Sequence, residues 1–157
     1  MIADSQNNLY LLEFSGTNVG RYDAKTKSVK IYPTPIAHSK PRRGRVDHED
    51  RLWFAEFGGN AIAMFDPKTE KFREWVLPTP DSAPYDVARA RNGDVWTGGM
   101  QNDQVARLNP ETGEIVEYLL PRSTNIRRVF VDDSLNPPAL WIGSNLGASI
   151  VKVEPLD

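Results

Sequence analysis

Two basic runs, Arg42-Arg43-Gly44-Arg45 and Arg127-Arg128, and two carboxylates, Glu13 and Glu56, are the side chains whose type and spacing suit chemistry. A guanidinium offers paired N–H donors that grip a carboxylate, a phosphate or an acidic sugar through two hydrogen bonds. It does not release its proton near neutral pH, so it cannot act as a base. The carboxylates offer the complement, acid–base work or an oxygen donor for a hard cation. Tyr85 is a further candidate, although a phenol with a pKa near 10 exchanges protons only under strong local perturbation. The two histidines differ in setting. His48 lies in the charged turn His48-Glu49-Asp50-Arg51, the place of a solvated residue, whereas His38 lies in Ile36-Ala37-His38-Ser39-Lys40-Pro41, leading towards Arg42.

What must position these groups is a repeat. The runs Leu9-Tyr10-Leu11-Leu12-Glu13-Phe14, Leu52-Trp53-Phe54-Ala55-Glu56-Phe57-Gly58-Gly59, Val95-Trp96-Thr97-Gly98-Gly99 and Leu140-Trp141-Ile142-Gly143-Ser144 start 43, 43 and 45 residues apart. A unit of that length is the mark of a propeller blade. The expected fold is therefore all-β, a β-propeller of four-stranded antiparallel blades. The 157 residues hold about three and a half blades, whereas propellers close with roughly 4–8. One partial propeller domain is expected over 1–157, with repeats near 1–41, 42–84, 85–125 and 126–157.

Within the second repeat, Arg43–Asp47, Leu52–Glu56, Ala61–Asp66 and Phe72–Leu77 read as strands 1 to 4, divided by turn residues such as Asp66-Pro67-Lys68-Thr69. The third repeat follows with Tyr85–Ala90, Val95–Gly99, Gln104–Asn109 and Ile115–Leu120. The first repeat shows strands 2 to 4 at Leu9–Glu13, Val19–Asp23 and Val29–Tyr32, with Ile2-Ala3 as the tail of a strand 1. The fourth shows strands 1 to 3 at Ile126–Val131, Leu140–Ser144 and Ile150–Glu154. That pattern is expected of the C-terminal portion of a longer propeller, whose open edges would otherwise pair with another chain. Tyr10, Trp53, Trp96 and Trp141 occupy one position in every repeat, which places them in the packing between blades.

Leu52-Trp53-Phe54-Ala55-Glu56-Phe57-Gly58-Gly59-Asn60, Phe65-Asp66-Pro67 and the blade-ending Val116-Glu117-Tyr118-Leu119-Leu120-Pro121 resemble the virginiamycin B lyase (streptogramin lyase) family. The likeness covers almost the whole chain, chiefly through positions that recur in every blade. It implies a seven-bladed propeller of about twice this length. It also implies elimination chemistry on cyclic depsipeptides of the streptogramin B type, with a magnesium ion on the axis. The working residues would be a His after a Pro at the start of strand 1 and a Glu at the end of strand 2. Strand 1 runs away from one face of the disc and strand 2 returns to it, so the two positions meet.

The Glu position holds Glu13 and Glu56, then Gly99 and Ser144; the His position holds Arg42, Tyr85 and Arg127. With no histidine there, these blades are not expected to carry the elimination. Arg42 and Glu56 form the best-matched pair, read as an ion pair or an anion-binding edge. The ligand-binding candidates are Arg42, Glu56, Glu13, Tyr85, Arg127 and His38, the last either reaching a ligand across the channel mouth or lying free on its loop. Glu13 and Glu56 are the candidate magnesium ligands, a weak site with two donors alone. Two functions follow: a non-catalytic face that binds a small anion or a protein, or part of a magnesium-dependent carbon–oxygen lyase whose histidines lie elsewhere.

A formal net charge of −2 gives no general attraction to nucleic acid or to a membrane. No apolar run approaches membrane-spanning length. Met1-Ile2-Ala3-Asp4 has no signal-peptide pattern, which leaves the compartment open. The absence of cysteine excludes disulfides and thiolate metal sites. A homodimer closing two half-rings, or the remainder of a longer propeller, is the expected partner of the open edges.

Overall fold

A computed structural model describes residues 1–156 as four antiparallel sheets arranged as successive blades. The first blade is β1(Ile2–Ala3), β2(Leu9–Leu12), β3(Asn18–Tyr22) and β4(Val29–Pro33). The second is β5(Pro41–Val46), β6(Leu52–Glu56), β7(Ala61–Asp66) and β8(Lys71–Val76). The third is β9(Pro84–Arg89), β10(Val95–Gly99), β11(Gln104–Leu108) and β12(Ile115–Leu119). The fourth has three strands, β13(Ile126–Asp132), β14(Ala139–Ser144) and β15(Ser149–Val153). Each blade is a simple meander with its strands in chain order. The first strands β5, β9 and β13 lie side by side across the blades and form the axial wall.

Alternation of side chains sorts each strand into two faces. Leu52 and Phe54 face the first blade and join Tyr10, Val19, Tyr32, Ala63 and Phe65 in one core. Trp53 and Ala55 face the third blade and pack with Ile62, Met64, Val87 and Leu108. Trp96 repeats this one blade on, against Ile126, Val129, Leu140 and Ile142. The core is thus a series of apolar seams between blades, as the recurring aromatics require. Three of the four recurring rings are also anchored at their polar ends. Tyr10 donates to Asp4 (3.3 Å), Trp53 to Asp47 (2.8 Å) and Trp141 to Asp132 (3.5 Å).

The expected strands are all present, with ends displaced by a residue or two. The largest displacement is informative. β5 starts at Pro41 and β9 at Pro84, ahead of the expected Arg43 and Tyr85, because proline is tolerated at the first residue of a strand. Pro41 pairs with Glu56 and Pro84 with Gly99, which places the end of strand 2 beside the start of strand 1.

Candidate functional site

All three first strands carry the same irregularity near their start. Register with the neighbouring strand shifts between Pro41 and Gly44, between Pro84 and Val87, and between Ile126 and Val129. Each shift is a β-bulge, in which two residues oppose one and a side chain is re-aimed out of the alternating pattern. The bulged pairs are Arg42-Arg43, Tyr85-Asp86 and Arg127-Arg128, so successive blades present their candidate site residues at one level of the axis.

Arg42 lies between two aromatic rings, its guanidinium carbon 4.1 Å from the Phe14 centroid and 4.5 Å from that of Tyr85, and it donates to the Tyr85 hydroxyl. The guanidinium of Arg43 stands 5.5 Å from the same tyrosine ring. The hydrogen bond from Arg42 holds Tyr85 below the usual phenol range, opposed by burial and reinforced by the charges of Arg42 and Arg43. Both arginines keep a buried Nε–H with no acceptor, and among the described residues neither forms an ion pair with a carboxylate.

Asp86, absent from the sequence-based candidates, organises this wall. It is 2 % exposed and accepts from both terminal nitrogens of Arg45 at 3.1 and 3.2 Å. The Val129 N–H reaches it at 3.3 Å, and Arg128 stands 4.0 Å away. Arg45 also donates to the carbonyls of Val87 and Val129 (2.9 Å for the latter). One carboxylate thereby ties together β5, β9 and β13. The only sequence signal was its position, the second bulge residue between Arg43 and Arg128 in neighbouring blades. A groove of about 470 Å³ runs along this wall and is lined by Arg42, Arg43, Arg45, Asp86 and Arg128, with Ile2, Leu11 and Leu12 opposite.

The remaining candidates sit apart from this cluster. Arg127 is exposed and donates from Nε to Asn125 at 2.8 Å, so the lining arginine of the fourth blade is Arg128. His38 is exposed on the loop before β5, with a left-handed backbone (φ 56°). Glu13 follows β2 directly and accepts from Asn18 within its own hairpin at 2.5 Å.

Glu56 differs most from its expected role. It shares a face with Leu52 and Phe54 and is wholly buried in the seam with the first blade, where Glu74 is its one charged neighbour and no arginine or lysine pairs with it among the described residues. The seam closes tightly over it, since a Cβ on Gly59 would come within 2.9 Å of its Oε2. Burial, and then the Glu74 carboxylate, push its pKa up to about 9. The expected Arg42–Glu56 ion pair does not form, because Arg42 is taken by Tyr85 and Glu56 is turned into the seam as a neutral acid. Glu74 in turn accepts the Ile36 N–H (3.2 Å), and its counterpart Glu117 accepts from Thr79 N–H (3.2 Å) and Oγ (2.7 Å). A fourth-strand glutamate thus holds the loop leaving the preceding blade.

Magnesium requires accessible, ionised oxygen donors. Glu56 is wholly buried in the seam, Glu13 is engaged with Asn18, and no group of three or more potential ligands occurs among the described residues. The residues present do not fit the ion.

A family model of the virginiamycin B lyase family matches residues 1–156. Among solved structures, a streptogramin B lyase superposes with a TM-score of 0.82 at 22 % identity, over 99 % of this chain and 53 % of the other. The virginiamycin B lyase of Staphylococcus aureus gives 0.81 at 22 % identity, over 98 % and 54 %. Hydrazine synthase of Kuenenia stuttgartiensis gives 0.77 at 14 % identity, over 98 % and 44 %. The chain therefore spans about half the length of the lyase structures it matches, and identities this low speak for the fold alone. Compared with curated proteins by sequence, it has no match.

Proposed function

This chain belongs to the virginiamycin B lyase family, and on that premise we propose that its axial face binds a small organic anion without carrying out elimination by itself. The observation behind this reading is the pair Arg42-Arg43. Two adjacent cations face the axis beside a phenol rather than a carboxylate, each with a buried N–H that lacks an acceptor. An orphaned buried donor is costly unless a ligand or water satisfies it. Arg45 and Arg128 extend the positive wall, and Asp86 offsets only part of it. A concave surface of one sign focuses potential and draws in counter-ions.

No elimination step is assigned to these blades. Strand-1 positions hold Arg42, Tyr85 and Arg127, and the two carboxylates do not make a magnesium site. Depsipeptide substrates of the streptogramin B type would need acid–base groups from outside this chain.

Benzoate binding, measured by calorimetry, tests the reading. Arg42→Ala and Arg43→Ala are expected to weaken it by at least about tenfold, the loss of one good charged contact. Arg51→Ala should change it little, because Arg51 lies in the opposite turn and is committed to Asp47 and Glu49, each at 2.8 Å. Equal effects at Arg42 and Arg51 would remove the axial mouth from consideration.

A further inference from the structure

The Tyr85 hydroxyl stands where an anionic partner of Arg42 and Arg43 would be expected. Arg42 donates to it, Arg43 lies beside it, and the Phe57 ring holds it edge-on at 6.3 Å between centroids. Among the described residues, no other charged side chain reaches this oxygen from the elements around it. β5 contributes only Arg42 and Arg43, while Phe57 after β6 and Phe14 after β2 are uncharged. On β9 itself, Asp86 is turned to Arg45, and Arg128 of β13 approaches Asp86. The cluster therefore pairs two guanidinium groups with one ionisable oxygen that is neutral in its ordinary state.

Resting on the reading of this mouth as an anion site, we infer that the Tyr85 hydroxyl holds the place of a ligand oxyanion between Arg42 and Arg43. The site accepts a carboxylate-class anion while Tyr85 is a neutral phenol and closes when Tyr85 becomes a phenolate. A neutral phenol is a weak competitor, since it cancels no charge. It also has a proton to donate to the incoming carboxylate. A phenolate supplies the negative charge internally and leaves no net attraction for a second anion.

Linkage fixes the sign. Because the neutral form binds, affinity is full below the Tyr85 pKa and falls by about tenfold per pH unit above it. By reciprocity, a bound anion must raise that pKa by the same coupling. The lowered phenol pKa brings this transition into an accessible range. Tyr85 is thus a specificity-determining residue as well as part of the wall.

The test is benzoate binding by calorimetry between pH 7 and 10.5 in the parent chain and in Tyr85→Phe. The parent should lose affinity with a limiting slope near tenfold per pH unit, while Tyr85→Phe, which lacks the phenol's hydrogen bond, should bind more weakly at pH 7 but stay nearly flat with pH. Glu56 titrates in both proteins, so the difference between them belongs to Tyr85. A second readout needs no variant: saturating benzoate should shift the earliest tyrosinate absorbance near 295 nm to higher pH. Equal slopes in both proteins, or an unmoved absorbance titration, would overturn the competition while leaving the anion site standing. Absence of benzoate binding at pH 7, or binding that survives Arg42→Ala and Arg43→Ala, would overturn both.

Discussion

Glu56 shows how one side chain's surroundings decide its chemistry. A carboxyl buried in an apolar seam beside a second carboxylate, with no cation to pair it, is held as the neutral acid. Its folded-state pKa, near 9, lies above the unfolded value. The stability it contributes is therefore complete below the unfolded pKa and is lost as pH rises through the folded one. Glu56→Gln keeps the shape and removes the titration. Its advantage over the parent in chemical denaturation should be small at pH 5 and grow steadily to several kcal/mol by pH 9, at up to about 1.4 kcal/mol per pH unit. A difference independent of pH would mean that Glu56 ionises as it does in water. The inward turn of this residue was open to sequence reading, because Glu56 has the parity of Leu52 and Phe54. The recurring alignment with Glu13 pointed instead to a shared role. Glu13 escapes the seam by lying one residue beyond the end of β2.

At the level of strands, the repeat made the blades legible, and the bulges set the limit of that legibility. Strand ends, turns and the aromatic positions recur at fixed spacing, so period and alternation alone placed nearly all of them. A bulge adds no residue type of its own. It is defined by register against the partner strand, which a single strand's sequence does not encode. Asp86 was missed for that reason, since an isolated aspartate after Tyr85 carries no sign that Arg45 of one blade and Val129 of another converge on it. The convergence predicts a stability role. Asp86→Ala leaves Arg45 without its partner and strands the Val129 N–H. Removing one member of a buried pair costs roughly 3–5 kcal/mol, and the lower end is expected because Arg45 retains contact with water. Thermal or urea unfolding measures the loss. Amide exchange should show it concentrated in β5, β9 and β13. A change below about 0.5 kcal/mol, as for an ordinary surface site, would mean that Asp86 does not join the three strands.

For the whole molecule, the decisive feature is that the two outer flanks have the character of interior seams. Leu11 (60 % exposed) and Val29 (65 %) lie on the free side of the first blade, while Phe130 (65 %) and Ile150 (75 %) are exposed on the fourth. Trp141, whose equivalents Trp53 and Trp96 are buried between blades, is only half-covered. The outer edge of β15 also offers unpaired backbone groups, because the fourth blade has three strands. Contiguous apolar flanks and open edges of this kind drive association. The flanks are opposite in kind, one suited to a preceding blade and one to a following blade, so any contact between copies through them would be head-to-tail. Such contacts close into a ring or continue as a filament according to the rotation per copy. Light scattering over a wide concentration range should therefore give a mass above that of one chain, and Ile150→Lys should lower it. A discrete doubling would mean that two copies close the ring, whereas growth with concentration would mean an open array. A single-chain mass at every concentration would show that the flanks tolerate water, and that their apolar character does not drive association of this chain.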